Sequence, residues 1–261
     1  MTAVVLGIIG CEAGDPPPPL VVAVGGPSMV PTLYPAALWG RCERCHRRER
    51  ISPAAAEPHH RCLQCRGNLA IVDRSSADTV TIGSGGGVPR AGDVVLLKGP
   101  DGLPTLKRIL AEPGDRIELC GMDLSVNGQL PDFATVVLPP PKILVFRGRA
   151  ADWQRHPLRP DDGHPVADVD HFQPHLARPW YPSGRPIVSK LGDGRIEVHR
   201  RVRYRLRRRD AVDRYPLTLP DGQWFVVGDN VPVSIDSRTY GPIAGDSILG
   251  IVIGRSSPIG Q

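Results

Sequence analysis

Proline and glycine, spread along the whole chain, set the strongest limit on what it can fold into. There are 29 of each in 261 residues, about twice the combined share of roughly 12% usual in soluble proteins. Proline removes a backbone donor and clashes inside a helix, while glycine loses the most conformational entropy on ordering. Long helices are therefore excluded, and the sequence predicts short strands joined by many turns. Wholesale disorder is excluded as well, because 41% of the residues are hydrophobic and runs such as Val94-Val95-Leu96-Leu97 can build a core. The expected fold class is mostly β, an antiparallel body.

A helix that spans a bilayer needs about 20 mainly apolar residues, and the best candidate, Ala3 to Gly10, is too short. Cys11 to Asp15 and the prolines Pro16 to Pro19 separate it from the next apolar run, Leu20 to Val24. Those prolines favour an extended spacer. Ile8-Ile9-Gly10-Cys11 has the outline of a lipoprotein cleavage box but lacks a basic n-region before it. A short apolar N-terminal strand or a truncated start is the preferred reading, and no recognisable transmembrane helix is expected.

Turn signals divide the chain into five stretches. Residues 1–38 form an N-terminal segment, and 39–72 an insertion holding four of the six cysteines. Residues 73–130 form a β core, with strands expected at Val94 to Lys98, Leu106 to Leu110 and Arg116 to Leu119 and a hairpin turn at Asn127-Gly128. A loop-rich subdomain follows over 131–220. Residues 221–261 return to the core through strands at Trp224 to Val227 and Ile248 to Ile253.

The cysteines give the sharpest local signal. Cys42-x2-Cys45 is followed by sixteen residues and then Cys62-x2-Cys65, the spacing of a zinc ribbon. Each knuckle offers two thiolates on one side of a tight turn, and two facing knuckles complete a closed tetrahedral site, so the zinc would be structural. Disulfides are the competing reading, and His46, His59 or His60 could replace a thiol ligand. Cys11 and Cys120 have no such spacing and are read as unpaired thiols, Cys120 buried.

Ser28 lies between Pro27 and Pro31, which predicts a stiff strand edge presenting one hydroxyl. Alone this is a weak signal. Further along stand Gly92-Asp93-Val94-Val95, then Lys107-Arg108-Ile109 with Pro113-Gly114-Asp115, then Gly228-Asp229-Asn230 and Ser234-Ile235-Asp236-Ser237-Arg238. These pieces, in this order after Ser28-Met29-Val30-Pro31, resemble the type I signal peptidases, serine endopeptidases with a Ser-Lys dyad. The resemblance covers about 20–38, 88–130 and 221–254.

The resemblance implies that Ser28 is the nucleophile, Lys107 the general base and Ser234 the hydroxyl that orients the lysine amine. Asp236 and Arg238 would brace that loop as an ion pair, with Asp229 and Met29 in supporting roles. It implies secretory preproteins with small residues before the scissile bond as substrates, no catalytic cofactor, and work at the extracytoplasmic face of the cytoplasmic membrane. Two departures stand out. Gly26 occupies a position where many members carry an oxyanion-donating Ser or Thr, so the Ser28 N–H would carry the oxyanion, and loss of one such donor costs on the order of a hundredfold in rate. The usual N-terminal anchor is not recognisable.

The proposed base needs a lysine amine that sheds its proton near neutrality. Burial does this by stripping hydration from the ammonium, and the expected apolar surroundings are Leu106, Ile109, Leu110 and Met29. Strand alternation puts Lys107 and Ile109 on one face and Leu106 and Arg108 on the other. Lys98 is the rival base, without the Arg and Pro-Gly-Asp context.

The basic run from Arg200 to Arg209 alternates, with Arg201, Arg203, Arg205 and Arg207 on one face and Val202, Tyr204 and Leu206 on the other. A strand with a charged face is expected, either solvated or lying against anionic lipid or nucleic acid, with lipid favoured over nucleic acid by the peptidase motifs. His156, His164, His171 and His175 are read as surface residues. Competing functions are a repressor-type self-cleaving peptidase, a zinc-ribbon nucleic-acid-binding protein suggested by the net charge of +5, and a catalytically impaired scaffold suggested by Gly26. With the peptidase motifs present, no nucleic acid is expected as a partner.

Overall fold

The computed structural model describes residues 19–30, 32–46, 48–51, 61–62, 65–83, 87–133, 136–140, 142–149, 151, 182–207, 210–231 and 233–257. Several expectations lie outside them, namely those for Cys11, Pro31, His59, His60 and the four histidines from 156 to 175. Among the described residues the chain is built from strands, as its proline and glycine content requires. The α-helical segment α1 (Ser237–Tyr240) is a single turn.

The strands are β1 (Leu20–Ala23), β2 (Ala37–Cys42), β3 (Arg48–Ile51), β4 (Leu69–Ser75), β5 (Thr79–Gly83), β6 (Val94–Lys98), β7 (Pro104–Ala111) and β8 (Arg116–Cys120). After them come β9 (Asp123–Val126), β10 (Lys142–Arg149), β11 (Pro182–Lys190), β12 (Arg195–Val202), β13 (Leu217–Thr218), β14 (Gln223–Val227), β15 (Ile243–Ala244) and β16 (Ile248–Ser256). A curled antiparallel sheet of seven strands runs in the order β1-β5-β16-β6-β7-β14-β15, with three smaller sheets β10-β12-β11, β13-β8-β9 and β3-β2-β4.

β6 and β7 are buried nearly throughout because both faces of the sheet are covered. Their register pairs Val95 with Lys107, Leu96 with Leu106 and Leu97 with Thr105. Residues directly opposite share a face, so Val95, Leu97, Lys107 and Ile109 lie on one side. That side packs with Val226 and Ile243. The other side carries Leu96 and Leu106, which pack with Val22, Val24, Met29, Leu33, Val80 and Ile82. β1 ends the sheet and pairs with β5 alone.

A third cluster joins Leu110, Ile117, Leu124 and Phe225 to Val198, Val202, Tyr204 and Leu206. The apolar half of the alternating basic run thus reaches the core as expected. Its charged half does not form a solvated strand face. β12 stops at Val202, and the arginines beyond it turn to carboxylates. Arg203 meets Asp123 at 2.6 Å and Arg207 meets Asp210 at 2.9 Å, while Arg201 pairs with Asp132.

Two smaller expectations also change. Cys120 is exposed, because it is the last residue of β8 at the turn Gly121-Met122. Asn127 and Gly128 do make a tight turn, both with positive φ (52° and 76°), closed by a bridge from Val126 to Gln129.

Candidate active site

Residues Pro27–Met29 form a 3₁₀ turn instead of the expected strand edge. Pro27 at its first position has the φ of a helical start and no N–H to satisfy, which favours the turn. The turn packs against β7. Met29 is its buried anchor, 1% exposed, while Ser28 remains partly open. Ser28 lines a cavity of about 140 Å³ together with Val22 to Gly26 at the end of β1, Leu96, Asp101, and Leu103 to Leu106 at the start of β7.

The loop after β14 grips this turn. Asn230 donates its backbone N–H to the Ser28 carbonyl at 2.9 Å and its Nδ2 to the Pro27 carbonyl at 2.8 Å. Gly228 is required by close approach. A Cβ there would lie 2.2 Å from Ser234 Oγ and 2.5 Å from the Ser28 carbonyl oxygen, so the two serines crowd the same glycine. Ser234 is 1% exposed, and its hydroxyl has no hydrogen-bond partner among the described residues.

Asp229 is wholly buried and accepts two bonds from Arg108, Nε to Oδ1 at 2.9 Å and Nη2 to Oδ2 at 2.6 Å. Tyr204 donates to it at 2.8 Å, and Thr32 donates its hydroxyl to the same carboxylate. This knot ties β7, the post-β14 loop, the segment after β12 and the chain just beyond Ser28 to one point. Thr32 is not singled out from sequence, Tyr204 is read there only as a core residue and Asn230 only as part of the Gly-Asp-Asn run, since nothing in spacing alone distinguishes a network tyrosine or threonine from a core or loop one.

Asp236 and Arg238 form a second buried bidentate pair, at 2.8 and 2.6 Å. Asp236 also caps α1 and accepts the Gly228 N–H at 2.9 Å. Burial opposes its charge, but the Arg238 guanidinium holds its carboxyl below the usual range.

Lys107 is 4% exposed. Burial pulls its pKa down to about 8; Asp236 opposes that shift, and the cations of Arg238 and Arg207 reinforce it. The apolar groups sharing its face are Val95, Leu97 and Ile109. Leu106, Leu110 and Met29, expected around the amine, belong to other clusters: alternation turns Leu106 and Leu110 to the opposite side of β7, and the 3₁₀ turn packs Met29 with Leu106. A lysine of this pKa is a workable base slightly above neutrality. Among the described residues no hydrogen bond joins Lys107 to Ser28.

The cysteine module is the sheet β3-β2-β4 with its two knuckles. Cys42 Sγ lies 3.4 Å from Cys65 Sγ and Cys45 Sγ 3.5 Å from Cys62 Sγ, and all four sulfurs fall within 4.8 Å of one another. Four thiolates at a Zn–S distance of about 2.3 Å stand roughly 3.8 Å apart, so the set fits a tetrahedral ion. The knuckles share one shape. His46 N–H bonds the Cys42 carbonyl and Arg66 N–H the Cys62 carbonyl, with left-handed φ of 59° and 61° at the two residues. Gly67 closes the cradle, since a Cβ there would sit 3.0 Å from Cys42 Sγ and 3.4 Å from Cys65 Sγ. The Cys45 N–H, pointing at Cys42, is the main reason its thiol is lowered to about 6.

A family model described as signal peptidase, peptidase S26, matches residues 65–256. The chain belongs to this family of serine endopeptidases. A solved structure of a signal peptidase I from Enterococcus faecalis V583 is 20% identical, covering 64% of this chain and 97% of that one, with a TM-score of 0.32. No curated protein matches the chain. The matched stretch contains Lys107, Asp229, Ser234, Asp236 and Arg238, and begins after Ser28 and the first three knuckle cysteines. Among the described residues no helix is long and apolar enough to cross a membrane.

Proposed function

We propose that this chain is a signal peptidase I that cleaves secretory preproteins, with Ser28 as nucleophile and Lys107 as general base. The observation that carries the reading is a buried lysine, its pKa lowered to about 8, on the strand against which the Ser28 turn packs. A neutral Lys107 amine takes the Ser28 proton as the hydroxyl oxygen attacks the scissile carbonyl, and returns it to the departing amine. Ser234, with its unpartnered hydroxyl beside the same glycine as Ser28, orients the amine. The Ser28 N–H is the oxyanion donor the sequence offers.

The edge of β1, unpaired among the described residues, and the cavity bounded by Val22 to Gly26 and by Leu103 to Leu106 suit an extended peptide added as a strand. A cavity of about 140 Å³ favours small side chains next to the scissile bond. Action on such preproteins puts the domain at the extracytoplasmic face of the membrane. The four knuckle cysteines hold one structural zinc, which takes no part in the cleavage.

The test is cleavage of a preprotein in detergent micelles by the full chain. Ser28→Ala and Lys107→Ala abolish it, Ser234→Ala weakens it, and kcat/KM of the wild type rises with pH through a midpoint near 8. Wild-type cleavage by the Lys107 variant removes the dyad.

A further inference from the structure

The arginine expected to face solvent or lipid, Arg207, instead reaches into the active-site loop. Its side chain is 15% exposed and its partner Asp210 carboxyl 0%. Asp210 accepts from the Arg207 backbone N–H at 2.8 Å and from Nε and Nη2, each at 2.9 Å. With its fork held this way, Arg207 donates Nη1 to the Val231 and Ser234 carbonyls. Nη2 donates to Thr239 Oγ1 at 3.0 Å, and that hydroxyl donates on to Asp210. In return Arg238 donates Nη1 to the Arg205 carbonyl at 2.9 Å. Arg205, Arg207 and Asp210 are therefore laced to Val231, Ser234, Arg238 and Thr239 from both sides.

We propose that Arg207 is a positioning residue of the active site, fixing the turn that carries Ser234 and adding a second guanidinium, beside that of Arg238, to the electrostatic surroundings of Lys107. The proposal rests on the Ser28–Lys107 reading. Two effects follow from one side chain. Planar donation to the Ser234 carbonyl sets where the Ser234 hydroxyl stands, a geometry an ammonium cannot reproduce. The positive charge disfavours the protonated amine of Lys107. The charged groups acting on Lys107 are Asp236 and Asp101, which favour its protonation, and Arg238 and Arg207, which oppose it. Its neighbours from β6 and β14 are apolar, Val95 and Val226.

The experiment measures kcat/KM against pH for the full chain on a preprotein in micelles, comparing wild type, Arg207→Gln, Arg207→Lys and Lys107→Ala. Arg207→Gln is expected to move the rising limb upward by about half a pH unit and to lose on the order of tenfold at its plateau, as a lost positioning contact does. Arg207→Lys is expected to keep the midpoint and still lose several-fold at the plateau. Should Arg207→Gln fail to fold, the lysine variant decides alone. A plateau equal to wild type in Arg207→Lys overturns the proposal, as does an unmoved midpoint in folded Arg207→Gln. An active Lys107→Ala overturns the underlying dyad instead, whereas an inactive Lys107→Ala with wild-type Arg207 variants sinks only the positioning role.

Discussion

Lys107 has its proton weakly held in the native state and firmly held in the unfolded one, and that difference has a thermodynamic sign. The unfolded amine releases its proton near the ordinary lysine value of 10.5 and the native amine near 8. Below pH 8 the native state carries the full cost of an ammonium out of water. The cost fades as pH rises from about 8 to 10.5, so stability increases across that window. Lys107→Met, which keeps the length and drops the charge, is expected to stabilise the chain by up to about 3 kcal/mol at neutral pH. The gain disappears above about pH 10.5. Urea unfolding of both proteins at pH 7 and pH 10 checks this, and a gain that does not shrink between the two would mean that the buried ammonium is not its source. The residue itself was legible from Lys107-Arg108 and the Pro-Gly-Asp that follows. Which side chains surround its amine was not, because Met29 is brought to the opposite face by a 3₁₀ turn that the flanking prolines alone did not announce.

Arg108 and Asp229 connect elements that lie 121 positions apart in sequence. A buried ion pair contributes little net stability while intact, but removing one partner strands the other charge. Asp229→Ala removes the carboxylate that neutralises the Arg108 guanidinium, leaving it bonded to the neutral Gly92 and Leu138 carbonyls, and should cost about 3–5 kcal/mol. Adding Arg108→Met to that variant should recover part of the loss, since no unpaired charge then remains buried. Equal stability of single and double variants in urea would show that the pair is not what joins β7 to the loop after β14. At this scale the strands were largely readable. Val94 to Lys98 coincides with β6, and the runs at Leu106, Trp224 and Ile248 lie within β7, β14 and β16, because apolar strands bounded by glycine and proline mark their own ends. The partnership of Tyr204 and Thr32 with Asp229 was invisible, since it depends on where three separate loops meet.

Over the whole molecule, the cysteine module forms its own small sheet, and its stability is tied to the metal its thiolates would hold. One zinc per chain is expected, and changing Cys62 and Cys65 to Ser abolishes it. Trp39 on β2, 8% exposed with Arg48 4.8 Å from its ring centre, reports on that sheet. Chelation is therefore expected to shift its fluorescence, with a Trp39→Phe chain as the control. Metal analysis finding no zinc, with mass spectrometry finding a bond between knuckle sulfurs, would overturn the assignment. By itself the sequence determined the β class, through its prolines and glycines, and the cysteine knuckles and peptidase boxes, through short spacings in which neighbouring residues act together. Only the tertiary structure decided where the arginines after β12 go, what buries Lys107 and how Gly228 brings two serines together. Charge pairing and burial depend on contacts between distant segments, and alternation along a strand says which face a residue takes, not what waits there.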